Sequence, residues 1–205
     1  MDKNILTKKE ISIFKKLDTP SKIQNFLDLI PINFEENGET CMSVRRMLQN
    51  NKAHCFEGAM LAAAVLWYHG EKPLLLDLKC DGYDTDHVVA LFKKNNHWGA
   101  ISKTNHSVLR YREPIYKTIR ELSMSYFHEY FTEKGKKTLR SYSKPFNLTK
   151  FKKDWIISER DLWDISEALD NSKHFPFMTK IMRKSLRKAD KVEILAGNIT
   201  EYKKN

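Results

Sequence analysis

The sequence predicts an α+β fold in which a helix rich in small residues packs on an antiparallel sheet. Three observations support this prediction: a run of strong helix formers over 53–66, strand-like patterns after Gly70, and helical patterns towards both ends of the chain. The chain has 205 residues, of which 41% are hydrophobic, and this suits one domain with a proper core. We expect that core over about 20–131 and a basic, helical extension over about 132–205.

Short helices are predicted ahead of this core helix. Residues 7–17 place apolar side chains on one side and lysines on the other. Thr19 and Pro20 form a helix-start signal for a second helix that stops at Pro31. Ser43 can cap a third, shorter helix. These segments supply the extra helices expected on the N-terminal side.

The 53–66 helix carries Cys55 in its first turn. Gly58 and the alanines leave little side-chain bulk, so the helix can lie close to a sheet, and Gly70 is a natural stop. The unpaired N–H groups of a helix start and the helix dipole favour an anion, which lowers the pKa of a thiol and makes it a nucleophile. The alternative is that Cys55 is a buried structural cysteine.

Three strands are predicted next. Residues 73–79 form the first, and the apolar, β-branched run over 86–92 indicates a second strand that is buried on both faces. A turn over 93–96 makes the third strand, 97–102, antiparallel to the second. The order is therefore a helix beginning at Cys55 and then three paired strands.

The C-terminal half has weaker patterns. We expect a helix from Pro114 to about Phe131, with a core stripe at Ile115, Ile119, Leu122 and Tyr126. Residues 132–153 read as a basic loop with one short strand, and a further helix is predicted over 158–169. A last basic helix is predicted around 178–195.

The net charge of +10 is concentrated in this half of the chain. Residues 132–153 carry eight Lys or Arg against one Glu, and residues 178–205 carry eight against three acids. Such an excess is compatible with an acidic partner such as nucleic acid. Because no recognisable reading motif accompanies it, we expect solvated surface rather than a nucleic-acid interface.

Cysteine usage and the N-terminus predict a cytoplasmic protein. Cys41, Cys55 and Cys80 form no CxxC pair, and no apolar run follows Met1 or approaches 18 residues elsewhere. We therefore expect free thiols in a reducing compartment and no membrane association.

Metal-binding patterns are also lacking. The candidate ligands show no CxxC, HxxxH or HExxH spacing; they are Cys55, Cys80, His87, His97 and His106. We expect no metal and no other cofactor.

Cys55 and His87 together predict nucleophilic catalysis. A histidine on a facing strand can take the thiol proton as a base and later protonate the leaving group as an acid. A third group on the adjacent strand usually orients the imidazole. We expect acyl transfer from a peptide, amide or thioester substrate.

The residues resemble a known group. Cys55 opening a helix, then DHVVALF with His87, a turn and HWGAIS are similar to the core of the transglutaminase-like branch of the papain-like cysteine fold, over roughly 20–131. The resemblance implies a cysteine helix packed on an antiparallel sheet, with His and Asp on neighbouring strands. It also implies hydrolysis, deamidation or transfer to an amine. Arylamine N-acetyltransferases share the Cys-His-Asp arrangement, but their Arg-Gly-Gly approach to the cysteine is absent here.

One position departs from that pattern. The family's third residue is an Asp about four residues after a Trp, and counting from Trp98 gives Ser102. Serine brings no negative charge, so it stabilises an imidazolium less. Asn105 is the alternative orienting group, whereas Asp86 should point to the opposite face of the strand from His87. The departure leaves two hypotheses: a rearranged triad, or a binding scaffold that has lost catalysis.

Further residues are expected to line a substrate cleft, because function concentrates in loops on a rigid scaffold. They are His54, Trp98, Lys103, His106, Arg110 and Arg112. We expect His54 in an exposed loop, and the alternative for both arginines is a surface ion pair. Gln24 is expected to be a surface residue rather than an oxyanion donor.

Overall fold

The computed structural model describes residues 1–151 and 153–203 and has an α+β fold with a seven-stranded antiparallel sheet. The α-helices are α1 (Lys8–Lys16), α2 (Pro20–Asp28), α3 (Val44–Asn50), α4 (Cys55–Tyr68), α5 (Ile119–Met124), α6 (Trp163–Asp170), α7 (Lys180–Lys184) and α8 (Lys191–Gly197). The strands are β1 (Leu74–Lys79), β2 (His87–Lys94), β3 (His97–Ile101), β4 (Arg112–Tyr116), β5 (Ser141–Ser143), β6 (Phe146–Asn147) and β7 (His174–Pro176).

The sheet has the order β4-β3-β2-β1-β5-β7, and β6 pairs with β1 as well. The β2–β3 hairpin turns through Asn95 and Asn96, whose φ angles are 49° and 63°. Asparagine tolerates this left-handed conformation, and two such residues suit the tight turn that matches the strand twist. The predicted pairing of the second and third strands is confirmed, with Ala90 opposite Ile101.

Helix α4 lies at the centre of the molecule. Twelve of its 14 residues are buried, and it packs against β1 and β2 on one face of the sheet. The N-terminal helices cover its other sides and begin at Thr7, Thr19 and Ser43, each of which accepts a backbone N–H as a cap. The prediction of a central helix that begins near Cys55 is therefore confirmed.

The opposite face of the sheet holds a second apolar cluster. Val89 and Leu91 of β2 point into it, whereas Val88 and Ala90 point towards α4. Strand β2 is thus buried on both faces, as its continuous apolar run predicted. This double burial fixes the start of β2 firmly against the start of α4.

The expected helix from Pro114 to Phe131 is wrong in its first half. Residues 112–116 form the edge strand β4, where a proline is tolerated because it need not donate to a neighbour. Ile115 is 68% exposed rather than in the core. Helix α5 begins later because Thr118 and Glu121 form a reciprocal capping box.

The C-terminal half is less helical than expected. Three of its segments, β5, β6 and β7, join the sheet. The basic helix expected over 178–195 is divided into α7 and α8. Helix α6 begins at Trp163 instead of Ser158, because Asp161 accepts hydrogen bonds from the Cys41 backbone and from Arg46.

The three cysteines are free. Cys41 and Cys80 are buried, whereas Cys55 is partly exposed. No helix within the described parts of the chain has the length and apolar character needed to cross a membrane.

We predict that Gly58→Ala destabilises the protein, although alanine is the better helix former. A Cβ at Gly58 would lie 2.4 Å from the Cβ of Lys103, whose side chain is buried. Overpacking costs about 1–3 kcal/mol and helix propensity returns about 1 kcal/mol, so we expect a net loss of up to about 2 kcal/mol. Urea unfolding measures it.

The matched control is Ser12→Ala, which changes an exposed position of α1 to alanine without a new contact. It should leave the free energy of unfolding unchanged or slightly higher. A Gly58→Ala protein as stable as the control would show that α4 does not need this close approach.

Candidate active site

The candidate site lies where the start of α4, the start of β2 and the end of β3 meet at one end of these two interior strands. Cys55 is the first residue of α4, His87 is the first residue of β2, and Ser102 directly follows β3. His54 and His87 line the same cleft as Cys55, and both imidazoles lower the pKa of its thiol. The structure therefore brings together the predicted nucleophile and base, and it adds a second imidazole.

Ser102 is the partner of His87. The His87 Nε2 lies 2.8 Å from the Ser102 hydroxyl, which in turn lies 2.6 Å from the carbonyl oxygen of Leu109. A carbonyl only accepts, so the hydroxyl donates to Leu109 and accepts from His87 Nε2–H. This network assigns the proton to Nε2 and leaves Nδ1 of His87 available as a proton acceptor.

Gln24 holds Ser102 in place from helix α2. Its amide oxygen accepts from the Ser102 backbone N–H at 2.9 Å, and its amide nitrogen donates to the Ser102 carbonyl at 2.8 Å. Gln24 is only 6% exposed, so the expectation of a surface glutamine is wrong. Since both ends of its amide are engaged, Gln24 positions the third residue of the site.

His54 is not in an exposed loop, contrary to our expectation. It caps the start of α4, and its Nε2 lies 2.9 Å from the carbonyl oxygen of Thr40. The carboxylates of Glu57 and Glu35 lie 3.5 and 3.7 Å from the same nitrogen. Because Nε2 faces these acceptors, it carries a proton, and Nδ1 is left for the thiol.

Glu57 is a fully buried carboxylate beneath this histidine. Its two oxygens accept hydrogen bonds from four donors, which are the side chains of Asn33 and Thr40 and the backbone N–H groups of Met42 and His54. Burial of a charge is costly unless it is hydrogen-bonded and paired. The donors and the nearby His54 ring meet that requirement.

The two histidines change the acidity of the thiol. Burial by itself would raise the pKa of Cys55, but the neighbouring imidazoles of His54 and His87 lower it to about 5. Burial would likewise lower the pKa of His54, but the hydrogen bond and charge of Cys55, together with Glu57, raise it to about 9. Between these values Cys55 and His54 form a thiolate–imidazolium pair.

A cavity of about 330 Å³ opens in front of the thiol. Four carboxylates line it, those of Glu35, Asp84, Asp86 and Glu129. Tyr130 also lines it with a buried hydroxyl that has no hydrogen-bond partner in the described part of the chain. The cleft is therefore acidic in a basic protein, and one of its buried donors is available to a ligand.

The C-terminal segment 196–202 forms one wall of this cleft. The Asn105 side chain exchanges hydrogen bonds with the backbone of Tyr202, at 2.9 and 2.8 Å. His106 Nδ1 lies 2.9 Å from the carbonyl oxygen of Gly197. Asn105 is thus engaged with the wall rather than with His87, so Ser102 fills the third position. His106 lines the cleft as predicted, with one ring nitrogen engaged in the wall.

Of the residues expected to line the cleft, Lys103 does so and Trp98 does not. Lys103 is 1% exposed, and its ammonium group donates to the carbonyls of Leu27 and Ile30 at the end of α2. It anchors a helix beneath the cleft. Trp98 lies outside the residues that line the cleft and packs beside Lys93 across the β2–β3 pair.

Both arginines make ion pairs, in agreement with the alternative reading. Arg110 lies 3.0 Å from Glu201 and is not among the residues that line the cleft. Arg112 lies 2.6 Å from Glu129 and stacks over Tyr126, 4.0 Å from the ring centre. The Arg112 pair fixes one of the four cleft carboxylates.

A second acidic cluster offers ligands for a hard cation. Oxygens of Asp77, Asp86 and Asp170 lie within 4.8 Å of one another. Two basic groups already contact it: Lys79 lies 2.5 Å from Asp170, and His174 lies 3.1 Å from Asp77. The hydrogen bond that His174 donates to Asp77 raises the pKa of His174. The chain thus supplies positive charge to this cluster itself.

Comparisons with known proteins return no match. No protein-family model matches the chain, and a search of curated proteins finds no significant relative. A functional conclusion therefore depends on the geometry of the site, because function follows from the arrangement of specific residues rather than from fold class.

The sequence contained a signal for Glu57 that was not used. It is the one acidic residue in an otherwise apolar helical run, and it stands three residues after His54. That is the spacing at which a Glu side chain accepts the backbone N–H of the residue before a helix, and the pattern is normally recognised by a Ser or Thr at the first position. A histidine in that position concealed the pattern.

We predict selective alkylation of Cys55 by iodoacetamide. The thiolate is the reactive form, so the rate should rise as the pH passes about 5 and then remain level. Burial raises the pKa of Cys41 to about 12 and also raises that of Cys80, so both should stay unmodified in the folded protein. Peptide mapping by mass spectrometry across pH measures this.

The internal control is the same protein in denaturant, where all three cysteines should react with a midpoint near that of a free thiol, about 8.5. A native Cys55 midpoint near the free-thiol value would contradict the thiolate–imidazolium pair.

Proposed function

We propose that this protein is a cysteine-dependent acyl-transfer enzyme with Cys55 as the nucleophile. The observation that carries the proposal is the placement of one thiol and two imidazoles in one open cleft, with a polar partner behind each imidazole. Nucleophilic cysteine catalysis needs a thiolate, a proton carrier beside it and a group that orients the carrier. Cys55, His87 and Ser102 fill these roles.

The reaction has two steps in this proposal. The Cys55 thiolate attacks an acyl carbonyl, the carbon–sulfur bond forms, and the leaving group departs with a proton from an imidazolium beside the sulfur. His87 Nδ1 then takes a proton from water or an amine, which attacks the thioester and releases the thiolate. Hydrolysis, deamidation or transfer to an amine results, depending on the substrate and the incoming nucleophile.

Two features supply donors to the developing oxyanion. The first N–H groups of α4 have no intrahelical acceptor, and they surround Cys55 at the positive end of the helix dipole. The unpartnered Tyr130 hydroxyl is a second donor in the same cleft. These groups favour a carbonyl substrate over a ligand without a polarisable oxygen.

The cleft charge favours a substrate with a positive group near its acyl carbon. Glu35, Asp84 and Asp86 line the cleft without a Lys or Arg within ion-pair distance among the described residues. Charged clefts raise the local concentration of oppositely charged ligands. Cationic peptides and amines therefore fit the proposal better than acidic ones.

The order of elements supports a papain-like core of the transglutaminase-like type as part of the proposal. A cysteine helix packs on an antiparallel sheet, and the histidine and its partner lie on adjacent strands. The partner of His87 is a serine, which brings no negative charge. Another group therefore has to supply the negative charge that stabilises an imidazolium beside the thiolate. A binding scaffold that has lost catalysis is the competing hypothesis, and the assay below separates the two.

We predict that the protein forms an acyl-enzyme with p-nitrophenyl acetate. The wild type should release a burst of p-nitrophenolate and carry one acetyl group on Cys55, as a ping-pong mechanism requires. Cys55→Ser should abolish the burst, and His87→Gln should slow turnover by about 10²–10⁴-fold. Ser102→Ala should cost about 5–10-fold, since it removes one hydrogen bond. Stopped-flow absorbance and intact mass spectrometry measure these effects.

The matched control is His97→Gln, a histidine in the exposed β2–β3 turn, which should leave the burst unchanged. Absence of an acyl-enzyme in a folded wild type would favour the scaffold hypothesis. Acetylation of Cys55 that His87→Gln does not affect would remove His87 from the mechanism.

A further inference from the structure

The site contains a carboxylate, but it stands behind a different histidine from the one that the sequence suggested. His87 is oriented by a neutral hydroxyl, Ser102. His54, which contacts the same thiol, lies 3.5 Å from the fully buried carboxylate of Glu57 and 3.7 Å from Glu35. The two imidazoles therefore occupy different electrostatic surroundings.

We propose that His54, supported by Glu57, is a second catalytic histidine that takes the thiol proton of Cys55, so that His87 stays uncharged and serves as the base for the incoming nucleophile. The inference rests on the proposed acyl-transfer function and divides its proton transfers between two residues. His54 and Cys55 are adjacent in sequence and share the start of α4, so the pair forms within one helical turn.

Hydrogen-bond donors and acceptors support this division. The Thr40 carbonyl requires a proton on Nε2 of His54, and a hydrogen bond to a thiolate requires a second proton on Nδ1. A His54 ring that donates hydrogen bonds from both nitrogens is an imidazolium. His87 needs a proton on Nε2 for the Ser102 hydroxyl, but among the described residues no carboxylate lies within ion-pair distance of its ring. Nothing comparable to Glu57 therefore favours a second proton on its Nδ1, which is left to accept.

Burial of Glu57 provides the energetic reason. Among residues 1–151 and 153–203, His54 is the one basic side chain that lies within ion-pair distance of Glu57. A buried carboxylate is expensive to leave unpaired, so it favours the charged form of this ring. The ionisable groups that face the Cys55–His54 pair are Glu35, Glu57, Asp86, His87 and Tyr130.

Protons balance through the cycle. At rest the thiol proton has moved from Sγ of Cys55 to Nδ1 of His54. After the thiolate attacks, this proton leaves with the amine or alcohol as the carbon–leaving-group bond breaks. His87 Nδ1 takes a proton from water or an acceptor amine during thioester cleavage. That proton returns through Sγ to His54, which restores the resting state.

The first test compares the pH dependence of Cys55 alkylation in variants. His54→Gln should raise the midpoint of the iodoacetamide profile by about two pH units, because it removes the charge that holds the thiolate. Glu57→Gln should also raise this midpoint. The double variant with His54→Gln and Glu57→Gln should raise it little more than His54→Gln alone. His87→Gln should move it by less than about one pH unit while it slows turnover of the thioester by about 10²–10⁴-fold. His97→Gln is the control.

A second measurement needs no substitution near the buried carboxylate. Histidine ring ¹⁵N spectra of the wild type at pH 7 should show His54 protonated at both nitrogens and His87 protonated at Nε2 alone. A His54 ring that is neutral while Cys55 is a thiolate overturns the inference, and so does a His87→Gln shift as large as that of His54→Gln. In either case rapid wild-type alkylation and acyl-enzyme formation would leave the proposed function standing. A Cys55 that neither alkylates at low pH nor forms an acyl-enzyme overturns both.

Discussion

The buried carboxylate of Glu57 is the interaction on which the candidate site depends. It accepts bonds from two loop side chains and two backbone N–H groups, so it joins the 33–42 loop to the first turn of α4. A carboxylate with four donors is costly to disrupt, because each donor would lose its partner in a region that excludes water. The position of the His54 ring, and through it the state of the Cys55 thiol, follows from this local network. The central helix therefore stabilises the core along its length and organises chemistry at its start.

Local patterns were enough to predict the elements that carry the site. Helix α4 and strands β1–β3 have strong periodicity and clear stop signals, and Cys55 and His87 were identified from that order alone. Ser102 and Asn105 were the two alternatives for the third position. The sequence alone does not distinguish them, because a hydroxyl and an amide three residues apart could both orient an imidazole. The structure identifies Ser102. The choice depends on Asn105 pairing with Tyr202, a contact between residues 97 positions apart.

Long-range contacts explain the remaining differences. Pro114 suggests a helix start when only neighbours are considered, but an unpaired edge of β3 recruits the segment as a strand. Lys103, Arg110 and Arg112 have no distinguishing pattern in the sequence. In the structure Lys103 is buried and binds the end of α2, whereas Arg110 and Arg112 form ion pairs with distant glutamates. His54 was placed in an exposed loop because solvent exposure cannot be read from a single polar residue next to a helix start. In each case the deciding partner lies far away along the chain or belongs to a cap of unusual composition.

The C-terminal wall has a consequence for the order in which the molecule is assembled. The thiol, both imidazoles and the supporting carboxylate all lie before residue 103, whereas the segment 196–202 that borders the cleft is synthesised about a hundred residues later. Contacts with such sequence separation form late, because closing a long loop costs entropy before the contacts repay it. A nascent chain can thus bring Cys55, both imidazoles and Glu57 together before the C-terminal border of the cleft is in place. The candidate site and its border are therefore completed at different times during synthesis.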